Sequence, residues 1–159
     1  MKDVHARDIM ATEVFTVSPD LVLLELEREL AARRITGAPV LDHGRVVGIV
    51  SRADIDARLF REQSRSAATA LFYQQTDLDA PTAPEQSDPT TAAFESLRHL
   101  RVRDVMTRDV LAVAPDDPLP AVARVMRDRR VHRLLVLEAG RLVGIVSSFD
   151  VVRAVAERA

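Results

Sequence analysis

The chain says the same thing twice. Gly44 to Asp54 reads Gly-Arg-Val-Val-Gly-Ile-Val-Ser-Arg-Ala-Asp, and Gly140 to Asp150 reads Gly-Arg-Leu-Val-Gly-Ile-Val-Ser-Ser-Phe-Asp, identical at eight of eleven positions. One offset, 96 residues, relates Met10 to Met106, Pro19 to Pro115, Leu30 to Met126 and Asp54 to Asp150, with no gap inside the repeat. Such self-similarity requires two copies of one supersecondary unit. In 159 residues that leaves one ordinary domain, or two half-size units sharing a core.

Each copy reads strand, helix, strand, strand, helix. In the first, Val14 to Val17 is a short β-prone run and Ser18-Pro19-Asp20 has helix-start chemistry. Leu23, Leu26 and Leu30 then fall at i, i+3 and i+7 of a helix over Leu21 to Arg34, with Glu29 and Arg33 as an i, i+4 pair on its solvated side. Thr36-Gly37 is expected to end that helix through a left-handed cap at the glycine. Ala38-Pro39-Val40-Leu41 starts a strand, and Pro39, lacking an N–H, places it at an edge or facing a cleft. Asp42-His43-Gly44-Arg45 has turn chemistry, Val46 to Val50 is a buried strand, and a helix opens near Ser51 with Ile55 and Leu59 inward. In the second copy Asp117-Pro118 reads as an N-cap acid followed by proline at the first helical position. Val122 and Met126 continue the apolar stripe, and Val151, Val152 and Val155 give the last helix its apolar face.

The division is therefore 8–60 for the first repeat, 61–97 for an insertion, and 98–159 for the second repeat. Asp77 to Thr91, with Pro81, Pro84 and Pro89 among acids, cannot bury enough apolar surface to stay ordered and is expected to be mobile. Its flanks hold Phe60, Phe72, Tyr73 and Phe94, four of the six aromatics, and Ala67 to Tyr73 is expected to be a helical extension or a segment packed on the body, ahead of a disordered linker and of a lid or partner-docking role.

Cysteine is absent, which excludes disulfides, thiolate catalysis and cysteine-ligated metals. A formal net charge of −2 gives no electrostatic case for gripping nucleic acid or an anionic membrane. Met1 to His5 is charged where a signal peptide needs an apolar run, and no stretch approaches the roughly 20 apolar residues of a membrane span. The expectation is a soluble, cytoplasmic protein.

Ser51-x-x-Asp54 and Ser147-x-x-Asp150 admit two readings. Serine followed by an acid three residues on is a capping box. The same residues, set where a buried strand meets a helix, also suit a nucleotide: free backbone N–H groups attract an anion, serine can bond phosphate, and a carboxylate can accept from both hydroxyls of a ribose.

Asp-Ile-Met or Asp-Val-Met, a proline-led helix, and Gly-Arg-h-Val-Gly-Ile-Val-Ser-x-x-Asp (h, hydrophobic), all doubled, resemble the cystathionine-β-synthase (CBS) domain, and together a CBS pair or Bateman module. The resemblance covers about residues 8 to 60 and 103 to 156. It implies an α/β (α+β) fold of two βαββα repeats packed through their sheets with pseudo-twofold symmetry, clefts for adenosine-containing ligands, and association into a homodimer. Carried onto this chain, Asp54 and Asp150 would hold ribose hydroxyls, and Ser51 and Ser147 ribose or phosphate. Thr16 with Ala38, Pro39 and Val40 would wall one adenine, and Ala112 with Leu134, Leu135 and Val136 the other. Arg52 would reach phosphate where its counterpart Ser148 is neutral. His132 and Arg133 stand where the first copy has Thr36 and Gly37, so the two sites are not expected to be equivalent. Arg133 reads equally well as a phosphate partner or a surface arginine.

Other constellations are weaker. Ser147, His132 and Asp150 are the residue types of a hydrolase triad, but Gly-Ile-Val-Ser-Ser is not a Gly-x-Ser-x-Gly elbow. His5, His43, His99 and His132 lack metal-ligand spacing. Gly44-x-x-x-Gly48 fits a hairpin turn and a close strand crossing, not a dinucleotide fingerprint. Arg124, Arg127, Arg129 and Arg130 read as a solvated helix face. The expectation is a non-enzymatic regulatory module without a required cofactor or metal, binding AMP, ADP or ATP, or else S-adenosylmethionine or NAD, and acting on an unknown protein target. A ligand-free dimerisation or protein-interaction module is the alternative.

Overall fold

The computed structural model describes residues 3–61 and 89–157. Its elements are α1 (Ala6–Ile9), α2 (Leu23–Arg33), β1 (Gly37–Asp42), β2 (Arg45–Ser51), α3 (described over 52–61), α4 (Pro89–His99), α5 (Val102–Val105), β3 (Ala112–Val113), α6 (Leu119–Arg129), β4 (Arg133–Glu138), β5 (Arg141–Ser147) and α7 (Ser148–Ala156). Helix and strand mix in both copies, in the same order except for the leading strand β3, which only the second copy forms. The segment Ala67 to Tyr73 and the stretch from Asp77 to Asp88 lie outside the described residues. Thr91, expected in the mobile stretch, is instead inside α4. Ala93 and Leu97 in α4, with Leu100 just past its end, make a half-buried stripe at i, i+4 and i+7, and α4 packs on α2.

Two compact units emerge, and neither coincides with a repeat. The first draws its described residues from Met1–Thr16, Leu41–Gly48 and Arg108–Ala159, the second from Val17–Val40 and Ile49–Thr107. Each unit thus takes the lead-in segment of the other repeat. In the first unit, Leu119 donates to the Val4 carbonyl (2.7 Å), Ala6 to Asp117 (2.9 Å) and Arg7 to Pro115 (3.0 Å). In the second, Leu23 donates to Leu100 (2.9 Å), Val102 to Leu21 (2.9 Å) and Arg103 to Pro19 (3.0 Å), the same three bonds at the same offset. Ion pairs Arg7–Asp116 and Arg103–Asp20 repeat the pattern at the surface. Being exposed, each contributes only about 0.2–1 kcal/mol.

Beyond α1 the lead-in runs alongside a strand. Ala11 and Ile145 exchange backbone bonds of 2.9 and 3.0 Å, as Thr107 and Ile49 do at 2.8 and 2.9 Å. The crossing in the first unit needs a glycine: a Cβ on Gly144 would stand 2.6 Å from Met10 Sδ and 2.9 Å from the Ala11 carbonyl. Gly144 is the counterpart, at the offset of 96, of Gly48, the residue at which a close strand crossing is expected.

The core of the first unit gathers Ala6, Val113, Val122, Met126, Leu134, Val136 and Val146. Their counterparts Val102, Val17, Leu26, Leu30, Ala38, Val40 and Val50 are all buried in the second. Burying a leucine such as Leu23, Leu26 or Leu30 completely contributes roughly 1.5–3 kcal/mol. In the second copy β3 pairs in parallel with β4, and β4 antiparallel with β5. In the first copy, β1 and β2 pair with each other, and the expected leading strand shrinks to one parallel bridge, Val17 to Val40. Pro39 explains the difference: Leu135 donates its N–H to Leu111 (3.2 Å), and Pro39, its counterpart, has none to donate.

Three expectations about helix ends are corrected. The left-handed residue closing α2 is Arg34 (φ 55°), not Gly37, and Arg130 (φ 54°) closes α6 in the same way. Ile35 and Val131 then reach back to the Leu30 and Met126 carbonyls, both at 3.0 Å, which satisfies the last turn. Gly37 is in β1 for want of space, since a Cβ there would meet the Val50 carbonyl at 2.7 Å. The starts also shift: Val22 and Pro118 are the N-caps, without side-chain cap bonds, because carbonyls of the exchanged lead-ins take the first N–H groups. Asp117 turns back instead and accepts from the Ala114 N–H (2.8 Å). In α7, Ala154 is buried and Val151 half-buried, while Val152 and Val155 face solvent with Phe149.

Both hairpins turn on two residues of positive φ, His43-Gly44 (49° and 77°) and Ala139-Gly140 (50° and 77°), the pattern of a type I′ turn. Alanine has no side-chain group to offset the strain of that region, whereas asparagine has. We therefore expect Ala139→Asn to raise stability by about 0.5–1 kcal/mol in urea denaturation. Gly144→Ala should lower it by about 1–3 kcal/mol, because the Ala11 backbone cannot yield as the Met10 side chain can. An unchanged unfolding midpoint for Gly144→Ala would refute the crossing geometry.

Candidate functional site

The two Ser-x-x-Asp corners sit where β2 meets α3 and where β5 meets α7. The strand ends with the serine extended (Ser147 φ −101°, ψ 161°), which points its hydroxyl at the amides of the opening helix. Ser51 donates both its N–H (2.8 Å) and its hydroxyl (2.7 Å) to Asp54 Oδ2 and accepts from the Asp54 N–H (3.4 Å). Ser147 and Asp150 repeat this at 2.8, 2.6 and 3.2 Å. Both corners are formed capping boxes, so the structural reading of the motif is realised in full. The serine proton is committed to the carboxylate, and Oδ2 already accepts twice. The acceptor left for an incoming group is Oδ1.

Oδ1 has different company at each corner. Thr107 Oγ1 donates to Asp54 Oδ1 at 3.3 Å. Arg153 Nη2 lies 3.2 Å from Asp150 Oδ1, with the aspartate side chain 18% exposed. By the offset, Ala11 stands in place of Thr107 and Ala57 in place of Arg153. Neither Thr107 nor Arg153 was singled out from the sequence. The i, i+3 spacing of Asp150 and Arg153 was a legible signal, whereas Thr107 lies 53 residues from Asp54 and needed the fold.

The remaining candidates divide clearly. The strand starts are brought to the corners: Arg52 donates its N–H to the Thr36 carbonyl and Ser148 to His132, both at 2.9 Å, and Arg133 pairs with Ser147 in register. His132 and Arg133 are exposed there, while Thr36 and Gly37 offer no cation. Arg52 faces Glu27, with Nε 3.7 Å from Oε2, and this pair is absent from the second copy, where Ala123 and Ser148 stand. At that distance the contact is an ion pair without a hydrogen bond, and Arg52 Nε, itself buried, has no hydrogen-bond partner among the described residues. Ala38, Pro39 and Val40, and Leu134, Leu135 and Val136, are buried, so what these strands present outward is backbone. Val17, beside Thr16, donates to the Pro39 carbonyl (3.0 Å), and Ala112 is exposed opposite Leu135.

The residue types of a hydrolase triad, Ser147, His132 and Asp150, do not form one. The Ser147 hydroxyl donates to Asp150, not to an imidazole, which a nucleophile–base pair would need. Among the described residues no group of three or more His, Cys, Asp or Glu could hold a metal, and no helix is long and apolar enough to cross a membrane. In the arginine cluster of α6, the Arg127 guanidinium bonds Asp128 at 2.8 Å and holds that carboxyl below its ordinary range.

The chain is similar over nearly all its length to known proteins. The uncharacterized protein MJ1426 of Methanocaldococcus jannaschii is 31% identical over 154 residues, covering 93% of this chain and 89% of that one. The CBS domain of a CBS domain containing membrane protein from Sphaerobacter thermophilus superposes with a TM-score of 0.68 at 31% identity, covering 95% and 87%. CBSX2, a CBS-pair protein from Arabidopsis thaliana solved in complex with AMP, gives 0.68 at 25% identity, covering 97% of both chains. Two other curated relatives are longer, and the chain spans 39% and 23% of them. A family model described as the CBS domain matches residues 6–61 and 102–157, and the chain belongs to that family, carrying two tandem copies of its domain.

Proposed function

We propose that this protein is a regulatory CBS pair that binds an adenosine-containing ligand at its Ser-x-x-Asp corners and passes occupancy on through its own conformation or a protein partner. The observation that carries this reading is the state of the aspartates: Oδ2 is fixed by two bonds from serine, which orients Oδ1 at the start of a helix. A carboxylate so held is a preorganised acceptor for ribose hydroxyls, and orientation of this kind lowers the entropy cost of binding. The aspartate would repel a phosphate placed against it, so phosphate belongs with the helix N–H groups and, at the second copy, with exposed His132 and Arg133. Adenine would then lie along the strand backbones at Ala38–Val40 and Leu134–Val136, with Thr16 and Ala112 beside them.

The relative bound to AMP makes adenine nucleotides the first ligands to try. A ligand regulates only by its difference in affinity for two states, so the output must be a change of shape, of self-association as a homodimer, or of grip on another protein. Chemistry on the ligand forms no part of this reading.

Calorimetry with AMP, ADP, ATP, NAD and S-adenosylmethionine tests it. At least one should bind the wild type, and Asp54→Ala or Asp150→Ala should weaken binding at its own corner roughly 10- to 100-fold, the worth of a hydrogen bond to a charged group. Thermal melts of the same variants separate this loss from the loss of a cap. Flat titrations with all five ligands would instead favour a ligand-free interaction module, for which exposed Phe60, Phe94, Phe149, Val152 and Val155 supply apolar surface.

A further inference from the structure

If the corners hold a ribose, they do not hold it equally: we propose that Thr107 makes the Asp54 corner selective for an intact ribose diol, and that Arg153 leaves the Asp150 corner nearly indifferent to it. A vicinal diol presents two hydroxyls and needs two acceptors. With Oδ2 spent on serine, Asp54 offers Oδ1, and Thr107 Oγ1 stands 3.3 Å from it. A hydroxyl donates and accepts at once, so Thr107 can keep its bond to Oδ1 while accepting from the second ribose hydroxyl. Its position is rigid, since the Thr107 backbone exchanges two hydrogen bonds with Ile49. Its side of the corner is open, the residue being exposed.

At Asp150 the same place is taken by Arg153 Nη2, 3.2 Å from Oδ1. A guanidinium has donors and no acceptor, so a ribose diol arriving beside it finds Oδ1 for one hydroxyl and no acceptor for the second. Ala11, at the position equivalent to Thr107, supplies none. The copies have thus exchanged a neutral two-way group for a cation through two independent differences, Thr107 against Ala11 and Ala57 against Arg153.

The experiment compares AMP with 2′-deoxy-AMP by calorimetry on the full chain. Asp150→Ala isolates the first corner and Asp54→Ala the second. AMP should be preferred about fivefold or more at the Asp54 corner, the worth of one neutral hydrogen bond, and by no more than about twofold at the Asp150 corner. Adding Thr107→Ala to the first variant should abolish the preference, and Thr107→Ser should restore it, which a merely structural role would not produce. Should Thr107→Ala fail to fold, Ala11→Thr with Arg153→Ala in the Asp54→Ala background must create the preference at Asp150. Equal preferences at both corners, a preference untouched by Thr107→Ala, or binding confined to the Asp150 corner overturns the proposal alone. Where another of the five ligands binds in place of AMP, its 2′-deoxy form serves in the comparison, and binding of none of the five overturns the nucleotide reading and this one together.

Discussion

Two long helices in this protein begin without side-chain caps, and the architecture follows from how that deficit is met. α2 starts after Val22 and α6 after Pro118, neither of which has a side chain able to accept from the helix amides. Leu23 and Leu119 donate instead to Leu100 and Val4, carbonyls that belong to the other repeat. A buried helix start without partners costs on the order of 1–3 kcal/mol for each N–H left unsatisfied, so the repeats hold each other's helices in place. The same segments carry Ala6 and Val102 into the two cores, where both are fully buried. Duplication here has produced mutual dependence rather than two self-sufficient units.

The exchange also reaches the candidate site. Thr107 ends the lead-in of the second repeat yet bonds Asp54 of the first, so the corner at Asp54 is completed by a residue from the other copy. Its twin is completed from within its own helix, by Arg153. The repeated motif supplies a common scaffold, a serine that locks one carboxylate oxygen. Unrepeated neighbours then decide what the other oxygen meets. The Glu27–Arg52 pair follows the same logic, both partners being present in one copy and both missing in the other.

The capping box and the proposed ligand corner are one arrangement viewed twice. An aspartate that accepts twice from serine is held by a network that stabilises the helix start and also preorients the free oxygen. Its stability role needs no ligand, and its binding role would cost little reorganisation. This is why the motif alone left both readings open: the residues that make a good cap are those that make a good ribose acceptor.

Periodicity and the unbroken offset were enough to determine the repeated helix, strand, strand, helix order, the Leu23, Leu26 and Leu30 stripe, the hairpin at Gly44 and the Ser–Asp corners. All of these rest on contacts within a few residues or on a pattern repeated along the chain. Tertiary structure decided the rest. It traded the lead-ins between repeats, moved the left-handed cap of α2 from Gly37 to Arg34, and turned Val152 and Val155 outward while Ala154 went in. The physical reason is the same in each case. A helix start, a helix end or a choice between two apolar faces is settled by which carbonyl or side chain fills the space, and nothing in the local sequence specifies a partner from the other repeat.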